Sequence, residues 1–398
     1  MSETTFTSAF GSFEIKRVPH RKKETLRAWD AADILLLDAL HTQALDLTNG
    51  ILIVNDYFAA LTTSLSQYAP INWSDSWISH QAMRENLRLN KLQDCGAETL
   101  DSVHVVKQKV SVVLIKVPKS MALFEYQLLR LKPLLQEGAV ILVAGMVKHM
   151  PSKVWSLLEK IVGETNTHRA ARKGRVIEVS VDTELPAIEN PYPLTWPLEG
   201  TDYKLINHAN VFAREHLDIG TRFFLKYCPQ TDGPVNIIDL ACGNGVIGLM
   251  TASKNKEAHV LFTDESYMAI ASAKENVKQL HYGDEQFDFH VGDGLHKVKK
   301  QSADIILCNP PFHQHHSIGE TMALTMFAQA AQVLKKDGAL WVVSNRHLGY
   351  PEKLSSWFLD VSLVASSKKF VVLKAAKPKQ QKKSTVKPPV IKNVKVTS

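Results

Sequence analysis

Short apolar runs alternate with amphipathic stretches along the second half of the chain, from about Gly200 onward. The apolar runs have the length of β-strands and include VNIIDL, HVLFTD, DIILC and ALWVVSN, and the stretches between them have apolar residues at helical spacing. Strands that alternate with helices predict an α/β domain with a mostly parallel sheet covered on both faces. Only SKK separates the last two runs, VSLVAS and FVVLKAA. So short a connection predicts a final hairpin and hence an antiparallel edge strand.

The first half of the chain repeats this plan. Residues 74–90 (SDSWISHQAMRENLRLN) match residues 263–280 (TDESYMAIASAKENVKQL), since each segment has a carboxylate at a strand end, a serine, an aromatic residue and a helix with a basic–Glu–Asn sequence. Likewise, ILIVNDYFAALTTSL stands where IIDLACGNGVIGLM stands in the second half. Two unrelated α/β patterns can resemble each other by chance, but matches in the same order predict a duplicated domain.

The length of 398 residues suits two domains rather than one. The boundary is expected in residues 181–200, where four prolines make a stiff connection. We therefore expect a first domain over residues 1–190 and a second over residues 191–376. Residues 377–398 are rich in Lys and Pro and contain no acidic residue, which predicts a disordered basic tail. Such a tail either contacts phosphate or simply keeps the protein in solution.

The composition is that of an ordinary globular protein, with 45% hydrophobic and 22% charged residues. No apolar stretch approaches the roughly 20 residues that span a bilayer, and the N-terminal residues do not have the pattern of a secretory signal. The four cysteines lie far apart, which argues against a disulfide framework or a zinc site. We expect a reduced, cytoplasmic protein without a membrane partner. The net charge of +7 suits a polyanionic partner but is a weak indication by itself.

The turn ACGNGVIG after the strand VNIIDL suits a nucleotide cofactor. Gly243 and Gly245 allow the backbone to approach a ligand closely, and the start of the next helix offers unpaired N–H groups. The segment also fits the GxGxxG pattern of dinucleotide-binding proteins, so a NAD-linked enzyme is a competing interpretation. Asp264 ends the next strand, where a carboxylate fits the hydroxyls of a ribose in either interpretation.

Two further carboxylates favour S-adenosylmethionine over a dinucleotide. Asp239 lies at the end of the strand before the turn, where its negative charge would disfavour a pyrophosphate but suits the zwitterionic amino acid part of S-adenosylmethionine. Asp293 follows the third strand, where it can accept a hydrogen bond from the adenine amino group. Each aspartate alone is an ordinary strand-end residue. Their order at successive strand ends predicts that Asp239, Gly243, Gly245, Asp264 and Asp293 bind S-adenosylmethionine.

The sequence Asn309-Pro310-Pro311-Phe312 directly follows the buried run DIILC and suits the binding of a planar amine. The carboxamide oxygen of Asn309 and the carbonyl of Pro310 can accept both hydrogens of an exocyclic amino group, which frees the nitrogen lone pair for attack on a sulfonium methyl. Proline fixes the direction of the carbonyl, and Phe312 can stack on a base for on the order of 1–3 kcal/mol. Orientation supplies most of the advantage, so no metal is expected.

Residues from about Trp196 to Lys374 resemble the bacterial ribosomal RNA guanine-N2 methyltransferases in the segments HANVFAREHLDIGTRFF, DLACGNGVIGL, CNPPFHQHH and VSNRHLGY. The resemblance extends through the first half, AWDAADILLLDAL included. It implies two tandem Rossmann-like class I methyltransferase domains, of which only the second is active, and N2-methylguanine in 23S ribosomal RNA as the product. One departure is Ala241, which stands where the family's loop usually has its first glycine.

The first half lacks both motifs of the second. Its loop, NDYFAA, contains no glycine, and its fourth strand ends in Lys116-Val117-Pro118-Lys119. Lysine cannot accept the hydrogens of an amine but can contact phosphate. We therefore expect the first domain to be a degenerate methyltransferase domain that either binds RNA or is a purely structural partner. The candidate RNA-binding residues are Lys116, Lys119, Arg169, Arg172, Lys173 and Arg175.

Several alternatives stay open from the sequence. A similar motif could methylate a guanine of the small-subunit RNA, the N6 amine of adenine, or a glutamine side chain in a protein. A protein that binds RNA without catalysis is an alternative from another class, which the intact motifs of the second half disfavour. We expect an enzyme that acts on 23S ribosomal RNA and needs no obligate protein partner.

Overall fold

The computed structural model describes residues 3–20, 24–104, 108–311 and 316–379 of the chain. It begins with an antiparallel hairpin, formed by β1 (Thr5–Ser8) and β2 (Gly11–Glu14). Phe6 of this hairpin is buried against Trp29, with the ring centroids 5.1 Å apart. The hairpin thereby packs on the first half of the molecule.

A seven-stranded sheet forms the centre of the first half. Its strands are β3 (Ile51–Val54), β4 (Ile71–Ser74), β5 (Glu98–Asp101), β6 (Val110–Lys116), β7 (Leu135–Met146), β8 (Thr165–Thr167) and β9 (Gly174–Ser180). The strand order is β5-β4-β3-β6-β7-β9-β8, and only the pairs that involve β8 and β9 are antiparallel.

Helices cover both faces of this sheet. They are α1 (Ala31–Thr42), α2 (Ala60–Ser64), α3 (Trp77–Leu89), α4 (Met121–Leu131) and α5 (Lys153–Ile161). Successive strand residues point to opposite faces. Within β3, Ile51 and Ile53 accordingly pack into one buried cluster, and Leu52 and Val54 into another. This double burial explains why the strands read as continuous apolar runs.

The second half has the same plan after a short hairpin of β10 (Leu194–Pro197) and β11 (Lys204–Asn207). Its other strands are β12 (Val235–Leu240), β13 (Ala258–Asp264), β14 (Phe287–Val291), β15 (Ala303–Cys308), β16 (Leu334–Asn345), β17 (Phe358–Ser366) and β18 (Phe370–Pro378). Its helices are α6 (Ile219–Leu225), α7 (Val246–Lys254), α8 (Tyr267–Val277), α9 (His316–Val333) and α10 (Tyr350–Leu354).

The two sheets have identical topology. The second has the order β14-β13-β12-β15-β16-β18-β17, which repeats the first strand for strand, and its last pairs are again antiparallel. The predicted fold class, two α/β domains with mostly parallel sheets and a final antiparallel hairpin, is confirmed. The division at residue 190 stays a prediction. Strand β18 runs to Pro378, and residues 380–398 of the predicted tail lie outside the described residues.

The two halves meet through equivalent segments that follow β4 and β13. Trp77 donates its backbone N–H to the carbonyl of Glu265 at 2.9 Å, and Tyr267 donates its own to the carbonyl of Asp75 at 3.1 Å. Because each segment directly follows a strand, the carboxyl ends of β4 and β13 lie side by side. In α/β folds, ligands bind at this end of the strands.

No helix in the part of the chain that the structure describes has both the length and the apolar character needed to cross a bilayer. All four cysteines carry free thiols.

Candidate active site

The loop after β12 has the backbone of a ligand-binding turn. Ala241, Gly243 and Gly245 all lie in the left-handed region, with φ of 56°, 55° and 76°. A non-glycine residue there costs on the order of 1 kcal/mol, so Ala241 bears this strain where the family's loop usually has glycine. A Cβ built on Gly243 would meet nothing within 4 Å. The loop therefore faces open space at Gly243. Glycine is needed there for the backbone conformation and not for close packing.

The other two glycines of this segment allow α7 to approach α8 and the sheet closely. A Cβ on Gly245 would lie 2.8 Å from the Cβ of Ala273, and one on Gly248 would lie 2.3 Å from the ring of Phe262. Real Cβ atoms do not come so close to neighbouring atoms. The sequence thus needs glycine at position 245 to bring the start of α7 against α8, and at position 248 to bring it against β13.

Asp239 is a buried carboxylate with an unsatisfied oxygen. Its side chain accepts a hydrogen bond from the backbone N–H of Gly248 through Oδ2 at 2.7 Å, and Oδ1 has no partner among the described residues. Burial, followed by the nearby Asp264, raises the pKa of Asp239 to about 8. An unpartnered buried polar atom costs about 1–3 kcal/mol. A ligand ammonium group would satisfy it and hold the carboxylate in its charged form.

Asp264, the last residue of β13, binds the loop after β12 through a hydrogen bond. Its Oδ2 accepts from the N–H of Gly243 and its Oδ1 from the N–H of Ser266, both at 3.0 Å. The N–H of Gly292 in turn donates to the carbonyl of Asp264 at 2.9 Å and brings the end of β14 alongside. Burial raises the pKa of both Asp264 and Asp293. The three predicted aspartates therefore lie at the carboxyl ends of three adjacent strands, along one edge of the sheet.

Asn309 and Pro310 lie on the other side of the same loop, because β15 pairs with β12. Cys308, the last residue of β15, is paired with Leu240, the last residue of β12. The residues that follow them, Asn309 and Ala241, are therefore neighbours. The side-chain nitrogen of Asn309 donates to the hydroxyl of Thr221 at 2.9 Å. Phe312, the predicted stacking residue, lies outside the described residues.

The first half has a buried ion pair at the equivalent place. Val54 is opposite Ile115 as Leu240 is opposite Cys308, which makes Lys116 the counterpart of Asn309. The ammonium of Lys116 lies 2.7 Å from each carboxylate oxygen of Asp33. Burial lowers the pKa of Lys116, but the surrounding carboxylates, above all Asp33, outweigh burial and raise it overall.

This ion pair corrects one prediction. Only 5% of Lys116 is exposed, so its charge is satisfied inside the protein and cannot reach an RNA phosphate. The other basic candidates lie nearer the surface. Lys119, Arg169, Arg172 and Lys173 are exposed, and Arg175 is half-buried.

The exposed basic side chains collect at the carboxyl edge of the first sheet. Lys119 follows the end of β6, and Arg172 and Lys173 form the turn that leads into β9. The carbonyl of Lys173 accepts from the N–H of Val147 at 3.0 Å, which brings Lys148 to the same place. Lys148 is a further exposed cation that the sequence did not single out, because only the pairing of β7 with β9 brings it to this place.

Metal ligands are not grouped anywhere in the described ranges. No set of three or more His, Cys, Asp or Glu side chains lies together there in a way that could hold an ion.

Comparison with protein families divides the chain in two. Residues 3–183 match the model described as RLMG N-terminal domain, and residues 202–374 match the model described as Methyltransferase small domain. Among solved structures, the chain is similar to the 16S rRNA N2 G1207 methyltransferase RsmC of T. thermophilus, solved in complex with AdoMet and guanosine. The TM-score is 0.72 at 17% identity, covering 94% of this chain and 97% of that one. At this identity the likeness establishes the shared two-sheet fold.

Relatives with higher identity cover almost the whole chain. The ribosomal RNA large subunit methyltransferase G of Streptomyces griseus is 41% identical over 380 residues, which is 94% of this chain and 99% of the relative. The protein of the same name from Pseudomonas putida strain W619 is 42% identical over 93% of this chain and 99% of its own length. These matches confirm the resemblance drawn from the motifs, and the chain belongs to the ribosomal RNA large subunit methyltransferase G family.

Proposed function

We propose that this protein transfers a methyl group from S-adenosylmethionine to the exocyclic N2 amine of a guanine in 23S ribosomal RNA. The observation that carries the proposal is the position of Asn309-Pro310 directly beside the loop that Asp239, Gly243 and Asp264 build. The group proposed to bind the amine thus lies next to the loop proposed to bind the cofactor. The family's name, which specifies the large-subunit RNA, supports the choice of substrate.

The cofactor's binding residues follow from the donors and acceptors at the sheet edge. Asp239 offers an unsatisfied oxygen for the cofactor's ammonium group, and the loop at Gly243 and Gly245 lets the backbone come close to it. Asp264 suits the ribose hydroxyls, and Asp293 the adenine amino group. S-adenosylmethionine supplies a methyl group on a positively charged sulfur, which is an excellent leaving group.

The chain's own contribution is to hold the guanine amine. The Oδ1 atom of Asn309 and the carbonyl oxygen of Pro310 accept its two hydrogens, so the nitrogen lone pair points away from them and towards the methyl donor. Pro310 is buried, and the following Pro311 restricts the backbone of Pro310 and with it the direction of the carbonyl. Because the amine is positioned rather than deprotonated in advance, alignment supplies the rate enhancement. Phe312 is proposed to stack on the flipped base.

The first half is proposed to contact RNA through phosphates. Lys119, Arg169, Arg172 and Lys173 are exposed at the carboxyl edge of its sheet, with Arg175 half-buried beside them. This edge also meets the second half at the contact after β4, so RNA bound there would extend towards the active site. Phosphate contacts of this kind position the substrate without reading its sequence.

The test uses purified protein and protein-free 23S and 16S RNA from a strain that lacks the gene, with a labelled methyl donor and mass mapping of the product. We expect one methyl per 23S molecule, as N2-methylguanosine, and none in 16S RNA. Activity without added proteins would support the absence of an obligate partner. Methylation of 16S RNA alone, or of adenine, would contradict the proposal.

A further inference from the structure

Thr221 lies in the first turn of α6 and contacts the residue proposed to hold the target amine. Its backbone N–H is capped by the carboxylate of Asp218 at 2.8 Å, so its main chain is fixed independently of its side chain. The residue is buried, and its hydroxyl oxygen lies 2.9 Å from the side-chain nitrogen of Asn309. Nothing in the motif after β15 would have pointed to it.

The orientation of the Asn309 amide decides what this side chain offers to a substrate. The nitrogen is a donor and the oxygen an acceptor, and the two lie on opposite sides of Cγ. A carboxamide turned by 180° would present N–H groups to the guanine amine, which also carries N–H groups, and would repel it. When Nδ2 donates to Thr221, Oδ1 is directed to the opposite side. Because a hydroxyl can both donate and accept, this hydrogen bond fixes the position of the carboxamide, and the observed direction, with Nδ2 as the donor, is the one that can accept an amine.

The first half shows that the fold brings these two positions together. Asp33 stands three residues after the helix-capping Asp30, as Thr221 stands three residues after Asp218. Asp33 contacts Lys116, the counterpart of Asn309, at 2.7 Å. A residue at this place in the helix reaches the residue after the fourth strand in both halves. The contact is thus a property of the topology, and the side chains determine its chemistry.

We propose that Thr221 is a positioning residue for methyl transfer, which holds the Asn309 carboxamide with its oxygen towards the target amine. The inference rests on the proposed function, since it assigns Thr221 a role through Asn309. The hydroxyl accepts from Nδ2 and does not itself touch the substrate. Its removal should reduce the fraction of enzyme with a correctly placed amide and leave the binding of cofactor and RNA intact.

Thr221→Val removes the hydroxyl and keeps the shape, whereas Thr221→Ser keeps the hydroxyl. We expect kcat to fall about tenfold or more in the valine variant, with KM for RNA and affinity for S-adenosylhomocysteine unchanged, and near-wild-type kcat in the serine variant. The matched control is Thr251→Val. Thr251 is also buried in a helix of the second half, but its hydroxyl donates to the carbonyl of Ile247. This control should retain wild-type kcat.

The outcomes separate the two proposals. An inactive wild-type protein would contradict the proposed function itself. An active wild type with an equally active Thr221→Val would overturn only the role of Thr221, as would a serine variant as impaired as the valine one. Thermal unfolding checks that each variant is folded. Thr221→Ala serves as the second hydroxyl-free variant if valine prevents folding, and wild-type kcat in it would equally overturn the inference.

Discussion

Asp75 of the first half accepts a hydrogen bond from the hydroxyl of Ser266 in the second half, at 2.6 Å. The same carboxylate accepts from the N–H of Met268 at 3.0 Å and from the side chain of Asn210 at 2.7 Å. Ser266 also donates its N–H to Asp264. The first half therefore helps to hold the start of α8, and with it the carboxylate proposed to bind the ribose.

The pH dependence of stability should reveal this contact. Burial raises the pKa of Asp75 from its ordinary value of 3.8 to about 7, so the folded state retains a proton that the unfolded state has released. The contribution of Asp75 is fully present below about pH 4 and disappears as the pH rises to about 7. Asp75→Asn has no such proton to release. We expect the Tm of wild type minus that of Asp75→Asn to decrease between pH 5 and pH 8.

Differential scanning calorimetry at several pH values measures this difference. Asp232→Asn, which removes an exposed charge, is the control for a general effect of net charge. If the Tm difference between wild type and Asp75→Asn stayed constant across this pH range, Asp75 would be equally charged in the folded and unfolded states.

Asn309→Ala should separate chemistry from cofactor binding. Without the carboxamide oxygen one hydrogen of the target amine has no acceptor, and we expect the methylation rate to fall about a hundredfold or more. Affinity for S-adenosylhomocysteine, measured by calorimetry, should be unchanged. Asn236→Ala, at an exposed position near the amino end of β12, is the matched control. Near-wild-type turnover in Asn309→Ala would refute the assignment.

Charge removal at the turn before β9 should weaken RNA binding. We expect Arg172→Gln with Lys173→Gln to lower RNA affinity and to flatten the log–log salt slope by about one for each phosphate that is no longer neutralised. Filter binding across a salt series measures both. The control is Lys256→Gln with Lys336→Gln, two exposed lysines at the amino ends of strands in the second sheet. If the two double variants had the same RNA affinity and the same salt slope, a structural role for the first half would be favoured.

Lys116→Met should destabilise the protein strongly. It leaves the buried Asp33 without its partner, and breaking such a pair costs about 3–5 kcal/mol. Adding Asp33→Leu should restore much of the free energy of unfolding, measured in urea. Lys335→Met breaks the more exposed pair with Asp304 and should cost at most about 1 kcal/mol. If Lys116→Met lowered the free energy of unfolding by only about 1 kcal/mol, the Lys116–Asp33 pair would not be needed for stability.

The fold and the glycine turn after β12 could be predicted because their signals are local. Apolar periodicity sets the strands and helices, and Gly243, Gly245 and the aspartates at strand ends lie within short segments. The partner of Lys116 could not be predicted in this way, since Asp33 lies 83 positions earlier and both residues are polar. Whether a lysine after a strand is exposed or buried depends on such distant contacts.

Two further contacts were missed for the same reason. Thr221 is 88 positions from Asn309, and Asp75 is 191 from Ser266. The internal repeat did contain a signal for the first of these. Asp30 and Asp33 have the same spacing as Asp218 and Thr221, and an alignment of the two halves would have placed Thr221 opposite a residue that pairs with Lys116.

The Lys116–Asp33 pair also has a consequence for the evolution of the molecule. The identical strand order of the two sheets indicates a gene duplication, and the first copy has Lys116 where the second has Asn309. To match the arrangement of the second half, the first would need Asn at position 116 and a residue such as Thr at position 33. Lys116→Asn alone leaves the buried Asp33 without its cation, which costs about 3–5 kcal/mol of the 5–15 kcal/mol by which a typical domain is stable. Asp33→Thr alone leaves Lys116 with the more distant carboxylate of Asp30, 3.7 Å away. Reaching that arrangement one substitution at a time therefore passes through a destabilised protein, which favours retention of the Lys116–Asp33 pair.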